Sequence, residues 1–216
     1  MHIIWHGQSF FQIQTSLNKG EQTTLVIDPF DESTGLKVPS MAADILLITH
    51  DHHDHNNKKT IKGSPFLVEG PGEYEVKDIF VQGIPSFHDE VEGKKRGPNT
   101  IYTIEAEEMR MCHLGDFGEK ELTEEQLEQI GDIDILMVPV GGEFTIDAKG
   151  ATHVISQLEP KIVIPMHYAL AGLKIKLEGV DKFLKEIGKK SVVPQPKLLV
   201  KKKDLPEETQ VVVLTI

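Results

Sequence analysis

Short runs of strand-like patterning dominate the first half of the chain. Residues 2–6, 10–15 and 23–28 combine alternating polarity with β-branched and aromatic side chains, and residues 16–22 (SLNKGEQ) read as a hairpin loop between the last two. Residues 43–49 (ADILLIT) form a continuous apolar run whose length and composition predict a buried strand. Further strands are expected at Phe66–Glu69, 79–82, 100–105, 110–114, Ile135–Pro139, 161–165, 197–201 and 210–216. Helix signals come later. Thr123-Glu124-Glu125-Gln126 has the capping-box pattern, with Leu122 and Leu127 placed to staple it. From Asp147, apolar residues at Ala148, Ala151, Val154, Ile155 and Leu158 share one helical face, and the pattern stops before Pro160. A third helix is expected over residues 180–187, ended by Gly188. Many strands, followed by strands alternating with helices, imply a sheet-rich α/β (α+β) layered fold. The 216 residues show no internal repeat and no loop long enough for an inserted domain, so one domain over 1–216 is expected.

Composition narrows the function. With 23 basic and 34 acidic side chains, the net charge of −11 disfavours a nucleic-acid partner bound through its phosphates. The charge is uneven: residues 182–203 hold eight lysines against Glu186 alone, and residues 118–134 hold seven acids against one lysine. Both stretches read as solvated faces. No apolar run approaches the length of a membrane span, and the opening MHIIWHGQSF lacks the basic start of a signal peptide. The single cysteine, Cys112, rules out an intrachain disulfide, which fits a reducing, cytoplasmic setting.

Four of the ten histidines lie between positions 50 and 55. Thr49-His50-Asp51-His52-His53-Asp54-His55 follows the buried run directly, where a sheet would fix the backbone while the loop exposes its side chains. His50 and His52, two apart, can point to one side of an extended loop. Asp54 and His55, adjacent, must diverge. That spacing suits two neighbouring metals better than one, and imidazole and carboxylate donors suit zinc, iron or manganese. Further candidate ligands stand just beyond later β-runs: His88, Asp116 after Gly115, and His167 after Met166.

The H-x-H-x-D-H pattern after a strand, then a later His, a Gly-Asp and a final His, resembles the metallo-β-lactamase superfamily over nearly the whole chain. Trp5-His6-Gly7-Gln8-Ser9-Phe10 looks like that family's opening hairpin, with Gly-Gln-Ser where Gly-His-Ser is common, and Ile27-Asp28-Pro29 looks like its first acidic motif. His113-Leu114-Gly115-Asp116, Val138-Pro139-Val140-Gly141-Gly142 and Ile164-Pro165-Met166-His167-Tyr168 resemble the branch that includes ascorbate-6-phosphate lactonase. The resemblance implies a four-layer αββα sandwich with two divalent metal ions at one edge of its sheets, zinc first, manganese or iron as alternatives. It implies that His50, His52 and His88 hold metal 1, that Asp54, His55 and His167 hold metal 2, and that Asp116 bridges them.

Two such ions about 3.5–4 Å apart would provide hydroxide near neutral pH to attack a small ester, lactone or phosphodiester. Asp54 is the expected catalytic proton acceptor, and His113 a second catalytic candidate through a hydrogen bond to a tetrahedral intermediate or leaving group, or else a residue supporting the ligands or a plain strand-end histidine. Asp28 is expected to orient a ligand histidine, or else to end a strand in an Asp-Pro turn. Arg96, in the loop between His88 and Asp116, would suit an anionic substrate. His53 is expected to point away, and Cys112 to be a buried structural thiol. The expected partner is a small molecule; no membrane association is expected, and a homo-oligomer stays open. The alternatives are a nuclease of the same superfamily and a non-enzymatic metal-binding protein.

Overall fold

The expected runs pair into two large sheets in a computed structural model of the chain, which describes residues 1–16 and 22–216. Residues 17–21, most of the expected hairpin loop, lie outside the described residues. The first half contains β1 (His2–Trp5), β2 (Phe11–Ser16), β3 (Gln22–Ile27), β4 (Met41–Ala42), β5 (Ile45–Ile48), β6 (Ile61–Lys62), β7 (Phe66–Glu69), β8 (Gly72–Val76) and β9 (Ile79–Phe87). The second contains β10 (Pro98–Ala106), β11 (Met109–His113), α1 (Glu124–Ile130), β12 (Ile135–Pro139), α2 (Ala148–Leu158), β13 (Ile162–Met166), α3 (Val180–Glu186), β14 (Leu198–Leu199) and β15 (Gln210–Val211). The first sheet runs β14-β1-β2-β3-β5-β7, the second β15-β13-β12-β11-β10-β9-β8.

Side-chain alternation explains how the sheets stack. Leu25 and Ile27 of β3, with Ile45 and Leu47 of β5, belong to one large core shared with Ile101, Ile104 and Met111 of the second sheet. Their neighbours Val26, Leu46 and Ile48 face the other way and pack with Phe10, Phe30, Leu36 and Ile61. Both faces of β5 are thus buried, as its unbroken apolar sequence requires. Helix α1 packs on β9 and α2 on β12, beneath α3. The layered sandwich is as expected, with one local difference. Among the described residues the outer face of the first sheet is covered by apolar loop residues and short 3-10 turns at Glu32–Thr34 and Lys58–Thr60, where the sequence carries no long helical period.

The helix signals hold. Thr123 caps α1 with the reciprocal Gln126 bond, and Asp147 caps α2 by accepting from Lys149 N and Gly150 N. Strand β9 runs past 82 to Phe87, through Gly83-Ile84-Pro85, because β10 pairs with it from Phe80 to Phe87. Glycine and proline there read locally as a loop, and only the partner strand makes them a strand. Opposite Pro85, Thr100 sends its N–H across to O of Thr49 (3.0 Å), just past β5 of the other sheet. No helix among the described residues is long and apolar enough to cross a membrane.

Direction decides where chemistry collects. Strands β11, β12 and β13 are parallel, and β9 runs the same way because two antiparallel steps separate it from β11. The ends of β9, β11 and β13 therefore share one edge, and β5 of the first sheet delivers residues 49–55 to it. Tyr102 ties the sheets together beneath this edge. Its buried hydroxyl donates to Ile48 O (2.8 Å) and accepts from Gly70 N (3.0 Å), and burial pushes its phenol well above the ordinary value. Tyr102→Phe is expected to lower unfolding stability by about 1–3 kcal/mol, because it strands buried partners. An unchanged urea midpoint would remove this tie from the account.

Candidate metal centre

The loop after β5 turns back at once: His55 N and Asn56 N both bond to His52 O, at 2.9 and 3.0 Å. This fold puts His50 and His52 edge-to-face, with His50 Nε2 and His52 Nδ1 3.0 Å apart, and drives His53 out into solvent. Two groups of potential ligands result. His50, His52 and His88 form one; Asp54, His55, Asp116 and His167 form the other; within each, the donor atoms lie within 4.8 Å of one another. All seven residues singled out in the sequence meet at the shared edge of the two sheets.

Asp116 joins the groups. Its Oδ2 lies 3.1 Å from His55 Nε2, 3.3 Å from His88 Nε2 and 3.3 Å from His167 Nε2. His88 belongs to the first group and the other two to the second. The other oxygen, Oδ1, accepts from the Ser9 hydroxyl at 3.1 Å, and Asp116 N donates to Asn99 Oδ1 at 3.0 Å. The carboxylate is thereby aimed from behind. Gly115 has φ +58°, and a Cβ there would overlap Asn99 Oδ1; a Cβ on Gly118 would overlap the His88 carbonyl group. Backbone crowding around two ligand turns explains why both positions lack a side chain.

Asp28 sets the ring orientation of two histidines. It accepts from His55 Nδ1 at 2.8 Å, which leaves His55 Nε2 without a proton in the neutral ring. It also accepts from the Thr49 hydroxyl at 2.7 Å and from Thr49 N at 2.8 Å. With its proton committed to Asp28, the Thr49 oxygen accepts from His50 Nδ1 at 2.9 Å, so His50 Nε2 likewise carries a lone pair. One buried carboxylate thus prepares a donor nitrogen in each group, the arrangement typical behind metal-bound imidazoles. Of the two readings of Asp28, the orienting one holds. Asp28, Gln8 and His167 all adopt positive φ, near +50°, a conformation non-glycine residues rarely take outside constrained sites.

These residues fit divalent cations. His55 Nε2 and both ring nitrogens of His167 are buried without a hydrogen-bond partner, although carboxylate and imidazole atoms surround them. Buried polar atoms in folded proteins are as a rule satisfied, and an all-nitrogen-and-oxygen donor set suits zinc or its neighbours. Burial lowers the basicity of His50, His52 and His167, which favours the unprotonated rings that can donate to a cation. His55 behaves oppositely. Burial disfavours its charge, but Asp116, Asp28 and Asp54 outweigh it and raise its pKa well above the usual value. For Asp116, burial opposes ionisation, yet His167 and His55 hold the carboxyl well below its usual range.

Of the readings of His113, its hydrogen bonds favour support over contact with substrate. It is fully buried, its Nε2 donates to Ser9 O at 3.0 Å, and its Nδ1 accepts from Gly115 N at 3.1 Å. Neither nitrogen remains to meet a substrate; the ring instead fixes the Gly115 turn and the Ser9 loop around Asp116. Cys112 is buried, and burial pushes its thiol well up, so it stays uncharged. Ser9 and Asn99 were not singled out in the sequence. The opening-hairpin resemblance carried a signal for Ser9, whereas Asn99 becomes visible only through the β9–β10 pairing.

Fold and site together define a metal-dependent hydrolase. The chain belongs to the β-lactamase superfamily: the family model described as "Beta-lactamase superfamily domain" matches residues 2–167. A crystal structure from Thermotoga maritima, provisionally assigned as a Zn-dependent hydrolase of the metallo-β-lactamase superfamily, is 35% identical; the match covers 99% of this chain and 97% of that one, with a TM-score of 0.78. The UPF0173 metal-dependent hydrolase of Thermococcus onnurineus is 31% identical over 174 residues, 67% of this chain and 76% of the relative. That of Lysinibacillus sphaericus is 30% identical over 203 residues, 78% and 85%.

Two outcomes follow for metal binding. His55 holds a second proton at neutral pH in the metal-free protein, and a cation at Nε2 must expel it. Affinity should therefore rise with pH, by up to about tenfold per unit below the raised His55 pKa, and flatten above it; chelator competition read across pH would give a flat profile if this were wrong. Asp28→Asn should weaken metal binding about 10- to 100-fold in the same titration.

Proposed function

We propose that His50, His52 and His88 hold one divalent ion, that Asp54, His55 and His167 hold a second, that Asp116 bridges both, and that the chain hydrolyses a small ester, lactone or phosphodiester. The single observation carrying this reading is the Asp116 Oδ2 atom, within 3.3 Å of imidazoles from both groups. Zinc is the favoured ion, supported by the nitrogen-rich donors and by the zinc dependence assigned to the Thermotoga maritima relative. When bound, the two ions would supply a nucleophile ionised near neutral pH and a Lewis acid for the substrate oxygen.

The chain's own residues provide the rest. Asp54, its side chain 15% exposed, is the most open carboxylate of the seven residues, and it takes the proton released as the nucleophile attacks. Asp116 is confined by Ser9 and Asn99 and holds its position through the reaction. Beside His50, a cavity of about 300 Å3, lined by Ile48, Pro71, Pro85, Phe87 and Pro98 among others, offers a mainly apolar seat. That size suits part of a small molecule. The net charge of −11 gives a nuclease reading little support; within the lysine-rich stretch Lys182 is paired with Glu178 and Lys202 with Asp134.

A hydrolysis screen across lactones, phosphodiesters and thioesters, with metal content measured on the same sample, tests the proposal. Chelation should abolish turnover and metal addition should restore it. Asp54→Ala should cut turnover at least about 100-fold with the fold intact by circular dichroism. Survival of activity in that variant would overturn the assigned proton acceptor.

A further inference from the structure

Arg96 and Arg110 are the only arginines in the sequence. Arg110 is spoken for, with Glu105 at 2.8 Å and further bonds to Gln82, Thr103 and Gln129 O. Arg96 faces no carboxylate within ion-pair distance among the described residues. Its guanidinium donates to Glu143 O at 3.0 Å and lies over the Phe144 ring, 5.5 Å from the centroid. Of its five N–H groups, one is committed, to a neutral carbonyl.

The backbone beneath it is unusually fixed for a loop. Asp89, the residue after His88, accepts four backbone N–H bonds: from Val91 (2.9 Å), Gly93 (2.9 Å), Lys95 (2.8 Å) and Arg96 itself (2.7 Å). His88 N bonds to Gly97 O at 3.1 Å, which closes the loop onto the ligand turn. The acids of this segment are occupied: the Asp89 carboxylate by amides, Glu92 by Lys94, and Glu90 by Lys120 at 3.9 Å. At the other end of the clasp, Glu143 and Phe144 follow Gly141, whose Cα packs so closely on the His167 carbonyl that no side chain fits. The guanidinium therefore spans from the loop that follows His88 to the segment after Gly141, which packs on His167. In a chain of net charge −11, a cation without an acidic partner, pre-positioned by an aromatic face, is suited to a ligand anion.

We propose that Arg96 is a specificity-determining residue: it binds an anionic group, carboxylate or phosphate, on the substrate while the hydrolysable bond lies at the metal centre. This assignment rests on the hydrolase reading above and narrows its substrate class to small anionic esters, lactones or phosphodiesters. Phe144 and Glu143 O hold the guanidinium in place, and its free N–H groups donate to the anion in a fork.

The test uses metal-loaded full-length protein and two arms. In the first, the kcat/KM ratio for mono(4-nitrophenyl) succinate over 4-nitrophenyl acetate is compared between wild type and Arg96→Gln. The ratio should fall about 10- to 100-fold, the worth of charge-assisted hydrogen bonds, and chiefly through KM. Arg96→Lys should recover part of the preference. The second arm is calorimetric titration with succinate, which needs no turnover; Arg96→Gln should bind it at least about tenfold more weakly. An unchanged ratio, or equal succinate affinity in wild type and Arg96→Gln, would overturn the proposal while leaving the hydrolase reading intact. Arg96-dependent succinate binding by a wild type that hydrolyses no ester, lactone or phosphodiester would instead sink the hydrolase reading and leave the anion site standing.

Discussion

One buried carboxylate organises this molecule. Asp116 brings a single oxygen within 3.3 Å of three imidazoles that come from the ends of β5, β9 and β13. Isolated burial would keep such an acid neutral. It ionises here because His167 and His55 converge on it, and those rings stay in place because both sheets end at the same edge. Ser9, Asn99 and His113 have no chemistry of their own in this arrangement. They hold the carboxylate and its turn still, so the histidines meet a fixed point.

The same economy governs the layer behind. Asp28 bonds His55 directly and reaches His50 through the Thr49 hydroxyl, so one acid orients a histidine in each group. Positive φ angles at Gln8, Asp28 and His167 show where the backbone is bent against its preference to serve this geometry. Such conformations cost of order 1 kcal/mol or more each, and the large shared core offsets them. Stability is gathered between the sheets and released as strain at their edge, which is how a rigid scaffold carries a demanding site.

Close contact between the sheets makes the site a joint product. Thr100 N to Thr49 O, and Tyr102 to Ile48 O and Gly70 N, fasten the loop of the first sheet to the second immediately beneath the ligands. The Asp89-centred loop extends that rigidity outward to Arg96 and Phe144. What reads locally as an irregular connection is thus held by buried acceptors and backbone donors.

Local pattern determined much of this by itself. The apolar run 43–49 must be buried, the Thr123 and Asp147 caps must start helices, and H-x-H-x-D-H must present a cluster of donors, because these follow from periodicity, capping and side-chain chemistry within a few residues. The ligand types at His88, Asp116 and His167 were legible through spacing and resemblance. Tertiary structure alone decided the rest. It ran β9 on through Gly83-Ile84-Pro85, because cross-strand pairing with β10 outweighs local punctuation. It made His113 a support and not a substrate contact, since hydrogen-bond partners more than a hundred residues away, such as Ser9, leave no trace in local sequence. It also left Arg96 without an acid among the described residues, a fact about the neighbours that surround a side chain and not about the residues beside it in the chain.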